Sequence, residues 1–183
     1  KVERNYLEIT SGDGMNNFQM DYGGLKYGGR IDFVPFGLFT NMGQFRQADI
    51  MRERSLKLVV GLNYSYNQGM SSRRGREGGQ IIYLDSLGNE SLPDFLKIGV
   101  DFMIKINGFS AIGEYQKTSS IVPNNITQRV RNNGTISSSF LVDGQENVTN
   151  YVNGRMMLGS AYNIQMGYLL KSLYSFDLRY THI

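Results

Sequence analysis

The chain has 183 residues and no cysteine, which excludes disulfide bonds, thiolate metal sites and thiol catalysis. Its 19 Lys and Arg against 16 Asp and Glu give a net charge of +3, too weak a positive field to indicate nucleic-acid binding. No run of about eighteen consecutive apolar residues is present, so the sequence encodes no transmembrane helix, and a membrane-spanning form would have to be a β-barrel.

Two strands are predicted in the first third of the chain, separated by a connection. Residues 25–33 alternate apolar and polar side chains until a Val-Pro-Phe-Gly stretch ends the run. Residues 56–66 resume the alternation. In the connection, residues 48–54 predict a short helix with two acidic residues four positions apart. A further short strand is expected at residues 6–10, followed by a polar loop over residues 11–24.

The strongest local signal is a hairpin over residues 95–116. Two alternating runs flank Asn107-Gly108, and an Asn-Gly pair favours a tight turn because both of its positions adopt positive φ. The first run places on one face Leu96, Ile98, Val100, Phe102, Ile104 and Ile106, and on the other Lys97, Gly99, Asp101, Met103 and Lys105. One apolar and one charged face suit either a soluble sheet with one wet side or a wall between lipid and a water-filled lumen.

A second hairpin with the same two faces is predicted near the end of the sequence. Residues 162–170 alternate, a short turn follows at residues 171–173, and the alternation resumes over residues 174–181. Between the two hairpins lies a long segment rich in Asn and Ser, residues 118–152, within which residues 135–142 are expected to pair locally.

The predicted connections alternate in length, except that the one at residues 34–55 is longer than this pattern prefers. Those at residues 67–93 and 118–152 are long, whereas those at residues 107–108 and 171–173 are short, and outer-membrane barrels combine long outer loops with short periplasmic turns. The alternating runs also approach the length of about 9 to 11 residues that a tilted membrane strand needs. The sequence therefore predicts an all-β fold: a single antiparallel transmembrane β-barrel domain, to which residues 1–183 contribute about six to eight strands.

Four segments resemble a known family: GGRIDFVPFGLF (28–39), SLKLVVGLNYSYN (55–67), GFSAIGEY (108–115) and IQMGYLL (164–170). They are similar to the phosphate-selective porin O and P family, in its Bacteroidota-type branch. The resemblance implies a bacterial outer-membrane porin of roughly sixteen or more strands that passes anions such as phosphate. About six secure strands, and Ile183 where a terminal aromatic is expected, lead us to expect part of a longer polypeptide.

If the charged face lines a lumen, its cations are candidates for pore lining and anion binding, since Lys and Arg attract anions and the Arg fork suits phosphate. These cations are Lys26, Arg30, Lys57, Lys97, Lys105 and Arg179. The anions predicted on the same face are Asp32, Asp101, Glu114 and Asp177, which leaves an excess of two cations. The alternative is that these charges form cross-strand ion pairs that hold the wall together, with Glu114 paired to Lys97 or Lys105.

Three arginines, Arg73, Arg74 and Arg76, lie in the first long loop. They would attract anions to the channel or narrow it, or else they would contact solvent or the phosphates of lipopolysaccharide. Catalysis has little support, because His182 is the single histidine and neither a catalytic triad nor a metal-ligand spacing is fixed. We therefore expect no enzymatic activity, no cofactor and no metal.

Three functions remain open at this point. The first is a channel for passive diffusion of small solutes, with outer-membrane lipid and lipopolysaccharide around it and ionic solutes inside. The second is an accessory or structural barrel of a larger outer-membrane complex, in which the lumen is plugged. A homo-oligomer is also compatible with the sequence. The third is a soluble ligand-binding β-barrel or sandwich, which detergent-free solubility would select.

Overall fold

The computed structural model describes residues 5–9, 18–22, 25–69, 72–73, 80–131, 135–172 and 174–183, and only the backbone of residues 5–9, 18–22, 72–73, 80 and 81. In chain order the strands are Asn5–Ile9 (β1), Phe18–Tyr22 (β2), Lys26–Phe33 (β3), Lys57–Asn67 (β4), Ser72–Arg73 (β5), Gln80–Leu84 (β6), Asp94–Ile106 (β7), Phe109–Ile121 (β8), Gln128–Val130 (β9), Ile136–Ser137 (β10), Leu141–Val142 (β11), Gln145–Glu146 (β12), Gly159–Leu169 (β13) and Ser175–His182 (β14). A 3-10 helix spans Thr40–Phe45 and an α-helix spans Val148–Asn153 (α1). The described residues thus confirm the all-β prediction.

The six long strands form one sheet in the order β14-β13-β8-β7-β4-β3. Each long strand therefore lies beside the next long strand along the chain, as in an up-and-down meander. The predicted strands at residues 25–33 and 56–66 and both predicted hairpins are confirmed, because sustained period-two alternation is the most reliable strand signal.

The register of the hairpin β13–β14 confirms its two predicted faces. Three cross-strand pairs are apolar on both sides, namely Ile164↔Tyr180, Met166↔Leu178 and Tyr168↔Phe176. The pairs that alternate with them are polar, namely Asn163↔Thr181, Gln165↔Arg179 and Gly167↔Asp177. Cross-strand neighbours on one face share their environment, so apolar and polar sides are separated over residues 163–168 and 176–181.

The turn between β7 and β8 has the predicted form. Asn107 has φ of 51° and Gly108 has φ of 92°, the two positive values that a tight hairpin turn requires. Gly108 is required for a second reason: an added Cβ would lie 2.6 Å from the carbonyl oxygen of Leu169.

Two expectations for the first third of the chain are wrong. The short helix expected at residues 48–54 is absent, and this segment consists of turns and bends. Both carboxylate oxygens of Asp49 accept from the backbone N–H of Glu53, and Arg52 has φ of 50°, which is incompatible with an α-helix. The loop expected at residues 11–24 contains β2, which pairs with β1 in antiparallel register.

The chain divides into two compact units. The first comprises Lys1–Tyr27, Ser65–Leu96 and Thr118–Leu158, and the second comprises Gly28–Tyr64, Lys97–Lys117 and Gly159–Ile183. Among the described residues, no helix is both long enough and apolar enough to cross a lipid bilayer.

The first unit contains the two long connections, and their described residues form strands and a helix. A four-stranded sheet with the order β10-β9-β6-β5 joins residues far apart in sequence, as in the pair Ile82↔Val130. Its larger apolar core consists of Tyr83, Ile126, Phe140, Tyr151, Val152 and Met156. Asn147 begins α1 by accepting, through its side chain, from the backbone N–H of Asn150 at 2.9 Å.

Candidate functional site

The second unit buries charged side chains and exposes apolar ones. Asp49 and Lys105 are each 1% exposed, whereas Ile31 and Leu178 are each 74% exposed. Charged residues are almost never fully buried unless they are paired, and large exposed apolar patches mark surfaces that interact with something else. We take the charged side of the sheet as the candidate functional site and call it the polar face. Its charged residues are Lys26, Arg30, Asp32, Lys57, Lys97, Asp101, Lys105, Glu114, Asp177 and Arg179.

The opposite side of the sheet, which we call the apolar face, is exposed on every long strand of the second unit. Its exposed residues are Ile31, Phe33, Leu62, Tyr64, Ile98, Val100, Tyr115, Tyr162, Ile164, Met166, Tyr168, Phe176, Leu178 and Tyr180. Scattered exposed apolar residues are normal on a protein surface, but a contiguous set across six neighbouring strands is not.

Arg30 on β3 is held by two carboxylates. Its Nη1 and Nη2 donate to both oxygens of Asp101 on β7 at 2.6 Å and 2.7 Å, and Nη2 also lies 2.7 Å from Asp32 Oδ1. Gly61 on the intervening strand β4 permits this approach, because a Cβ there would lie 2.7 Å from Arg30 Cζ. The predicted anion-binding cation Arg30 is therefore part of a cross-strand ion pair, as in the alternative reading of the sequence.

Lys105 on β7 is enclosed by backbone carbonyls. Its Nζ donates to the carbonyl oxygens of Gly43, Arg46 and Ala48 at 2.7 Å, 2.5 Å and 2.9 Å. A lysine ammonium has three N–H donors, so all of them are used. The expectation that Lys105 faces an open lumen is corrected: the connection at residues 34–56 covers the side chain, and no donor remains for an anion.

Three neighbouring residues fix the same connection to the hairpin turns, and we call Asp49, Arg52 and Glu53 the turn clasp. Asp49 Oδ2 accepts from Gly108 N at 2.8 Å. Arg52 donates to the carbonyl oxygens of Leu169 at 2.6 Å and Asn107 at 3.0 Å. The Glu53 carbonyl accepts from Asn107 N at 2.8 Å.

The carboxylate of Glu53 also binds Thr40, the first residue of the 3-10 helix. Its oxygens accept from Thr40 N at 2.6 Å and from Thr40 Oγ1 at 2.9 Å, beside the 3-10 helix. Buried carboxylates with several donors form strong, charge-assisted hydrogen bonds. The connection is therefore a fixed part of the second unit.

The four remaining wall cations are less constrained. Lys26 and Arg179 are exposed, and Lys57 and Lys97 are half-buried. Lys57 Nζ donates to the Phe36 carbonyl at 3.0 Å, and Arg179 Nε donates to Asn163 Oδ1 at 2.9 Å. Both contacts are with neutral groups, so these side chains keep their full positive charge on the polar face.

Glu114 does not have the partner expected for it. Its carboxylate accepts from the side-chain amide of Gln116, and no ion pair joins it to Lys97 or Lys105 among the described residues. Of the loop arginines, Arg74 and Arg76 lie outside the described residues, and Arg73 is described only as backbone in β5. Their predicted attraction of anions stays a prediction.

A cavity of about 410 Å³ lies in the second unit, lined by the polar face and by the connection at residues 34–56. Its polar lining comes from Arg30, Asp32, Gln44 and Asp101. The Oε1 atom of Gln44 is buried and has no hydrogen-bond partner among the described residues. Such an atom is rare, because burying an unpaired acceptor costs about 1 to 3 kcal/mol.

Sequence reasoning missed the turn clasp and Gln44. The four-residue spacing of Asp49 and Glu53 is typical of a short helix, whereas in the structure neither residue lies in a helix. A polar segment between two secure strands, with alternating charges and no glycine from residue 44 to residue 56, is the signal that the connection has its own structure.

No protein-family model, curated protein or solved structure matches the chain. Across the described residues, no group of three or more His, Cys, Asp or Glu side chains is placed to hold a metal ion. The porin resemblance thus stays a prediction, and function has to be argued from the polar and apolar faces.

Proposed function

We propose that the chain forms part of the wall of a bacterial outer-membrane β-barrel through which small solutes diffuse passively. The observation that carries this proposal is the burial pattern of the second unit, in which Asp49, Glu53 and Lys105 are buried while an apolar face is exposed across the six-stranded sheet. A barrel wall needs this arrangement, because its outer face contacts lipid and its inner face contacts water. Membership of the phosphate-selective porin O and P family is part of the proposal.

The lengths of the connections indicate which end of the proposed barrel faces the periplasm. A two-residue turn, Asn107-Gly108, follows β7 and a short connection follows β13, whereas long connections follow β4 and β8. The connection at residues 34–56 is also long and departs from this alternation. In outer-membrane barrels the short turns face the periplasm and the long loops face outwards. We accordingly assign the turn clasp to the periplasmic end.

Anions such as phosphate are the first candidate solutes. Arg30 is neutralised and Lys105 is enclosed, so anion attraction would rest on Lys26, Lys57, Lys97 and Arg179. Cationic side chains along a pore act as weak, exchangeable sites, which lets an anion enter and leave. Passage is then electrodiffusion, without a chemical step.

Planar-bilayer recording of the purified protein tests this function. We expect ion conductance with an anion-selective reversal potential under a salt gradient. Lys97→Glu should shift the reversal potential towards cations, because Lys97 lies on the polar face. Lys117→Glu is the matched control: Lys117 is exposed and lies two residues from Tyr115, on the apolar face.

Each outcome decides a separate part of the proposal. Absence of conductance would contradict the channel, and cation preference of the unaltered protein would contradict anion selection. Equal shifts for the Lys97 and Lys117 variants would mean that the polar face does not line the conducting path.

A second candidate is an accessory barrel whose lumen is closed. The turn clasp and the enclosed Lys105 favour it, because they fix residues 34–56 against the polar face. Purification as a stable complex with other envelope proteins, together with an absence of conductance, would support this candidate over the channel.

A further inference from the structure

The cavity in the second unit has the size and lining of a small-molecule site. Its volume of about 410 Å³ lies within the range of about 300 to 1,000 Å³ that is typical of ligand pockets. Much of its surface is apolar, with contributions from Phe39, Phe45, Val59 and Met103. A few polar groups on an apolar lining are what orients a bound ligand.

The charge of the cavity is negative. Arg30 contributes one positive charge, and Asp32 and Asp101 contribute two negative charges, which leaves a net charge of −1. Both oxygens of Asp101 accept from Arg30, whereas Asp32 meets Arg30 through Oδ1. The second oxygen of Asp32 therefore has capacity for a donor from a ligand.

Gln44 adds a second acceptor to the same lining. Its Oε1 is buried and has no partner among the described residues, so it can accept from an N–H or O–H group without losing an existing bond. Inorganic phosphate would be repelled by the net negative charge of the lining. The chemistry of the cavity thus differs from that of the exposed wall cations.

We propose that this cavity binds a small organic cation: a primary ammonium group that carries a short apolar chain. The ammonium group supplies three donors and the positive charge that complements Asp32, and Gln44 Oε1 accepts one of those donors. The apolar chain lies against the phenyl and aliphatic side chains. This site does not depend on the channel function, because it is argued from the residues that line the cavity, and none of the cations Lys26, Lys57, Lys97 and Arg179 is among them.

Isothermal titration of the purified protein in detergent tests the proposal with three probes: butylammonium, butanol and inorganic phosphate. We expect butylammonium to bind at least about fivefold more tightly than butanol, which has the chain without the charge, and phosphate not to bind in the cavity. Asp32→Asn should weaken butylammonium binding about fivefold, as expected for one partly exposed charge pair. Gln44→Leu should weaken it by a similar factor.

Asp177→Asn is the matched control, because Asp177 is an exposed carboxylate of the polar face that does not line the cavity. Its affinity for butylammonium should equal that of the unaltered protein, with far-UV circular dichroism confirming that all variants fold. Equal affinities for butanol and butylammonium, or equal losses in the Asp32 and Asp177 variants, would overturn the proposal. Binding without conductance would contradict the channel and leave the cavity site standing, so the two proposals fail separately.

Discussion

Replacing Lys105 with methionine tests how far the enclosed ammonium group stabilises the second unit. Methionine keeps the length and the apolar stem of the side chain, so the change removes the charge and the donors and leaves little empty space. The carbonyl oxygens of Gly43, Arg46 and Ala48 would then lack their hydrogen-bond donor. The buried carboxylates of Asp49 and Glu53 would also lose a nearby positive charge.

The structure sets the size of the effect. A hydrogen bond to a charged group contributes about 1.5 to 3 kcal/mol, and three such bonds are lost, but the cost of burying the lysine charge is also removed. Removing one member of a buried charged network typically costs about 3 to 5 kcal/mol. We therefore expect Lys105→Met to lower the free energy of unfolding by about 4 kcal/mol, a large fraction of the total of about 5 to 15 kcal/mol for a domain.

Urea unfolding in detergent, followed by far-UV circular dichroism, measures this loss. With an m-value of about 2 kcal/mol/M, a loss of about 4 kcal/mol lowers the midpoint by about 2 M. Lys97→Met is the matched control on the same strand and face. Lys97 is half-buried and has no hydrogen bond or ion pair to a described residue, so its variant should remain within about 0.5 kcal/mol of the unaltered protein. Equal midpoints for the two variants would refute the assignment of Lys105 as a structural residue.

Two further predictions follow from local geometry. Gly61→Ala should lower the free energy of unfolding by about 1 to 3 kcal/mol, because the added Cβ would lie 2.7 Å from Arg30 Cζ. Gly29→Ala is the control: an added Cβ at this position has no atom within 4 Å, so thermal unfolding of this variant should be nearly unchanged. Hydrogen bonds from Asn89, above all from its backbone N–H, lower the pKa of Asp85. The ionised carboxylate therefore stabilises the turn at pH values above the ordinary aspartate pKa of about 3.9, and this stabilisation is lost as pH falls through the lowered pKa. The NMR shift of the Asp85 carboxyl carbon should therefore titrate below about 3.9, and a midpoint at the ordinary value would contradict this.

The long strands were predictable because each one carries its own signal. Alternation along β4, β7 and β13 is a property of neighbouring residues, and the Asn107-Gly108 turn fixes its hairpin from two residues alone. The all-β class follows from these elements without knowledge of any distant contact. The same alternation predicts which side chains share a face, as the register of β13 and β14 confirms.

The first unit was not predictable in the same way, because its order depends on contacts between distant segments. Ile82 pairs with Val130 across 48 positions of the sequence, and neither strand shows alternation long enough to identify it. The helix α1 has six residues, too few for a helical period to be distinguished from a polar loop. Asn147 caps this helix, although it lies within the segment of residues 118–152 whose Asn and Ser content indicates a polar connection.

The charges of the polar face show why a count of residues does not give the field in a pore. Six cations and four anions were assigned to this face, but two of the cations do not act as free charges. Arg30 lies between two carboxylates, and Lys105 is covered by residues 34–56. The charged residues that line the cavity therefore sum to −1, while Lys26 and Arg179 remain exposed. Since charges further apart than about 8 Å are largely screened at physiological salt, an anion in the proposed channel would respond to the nearest side chains and not to the net charge of the polar face.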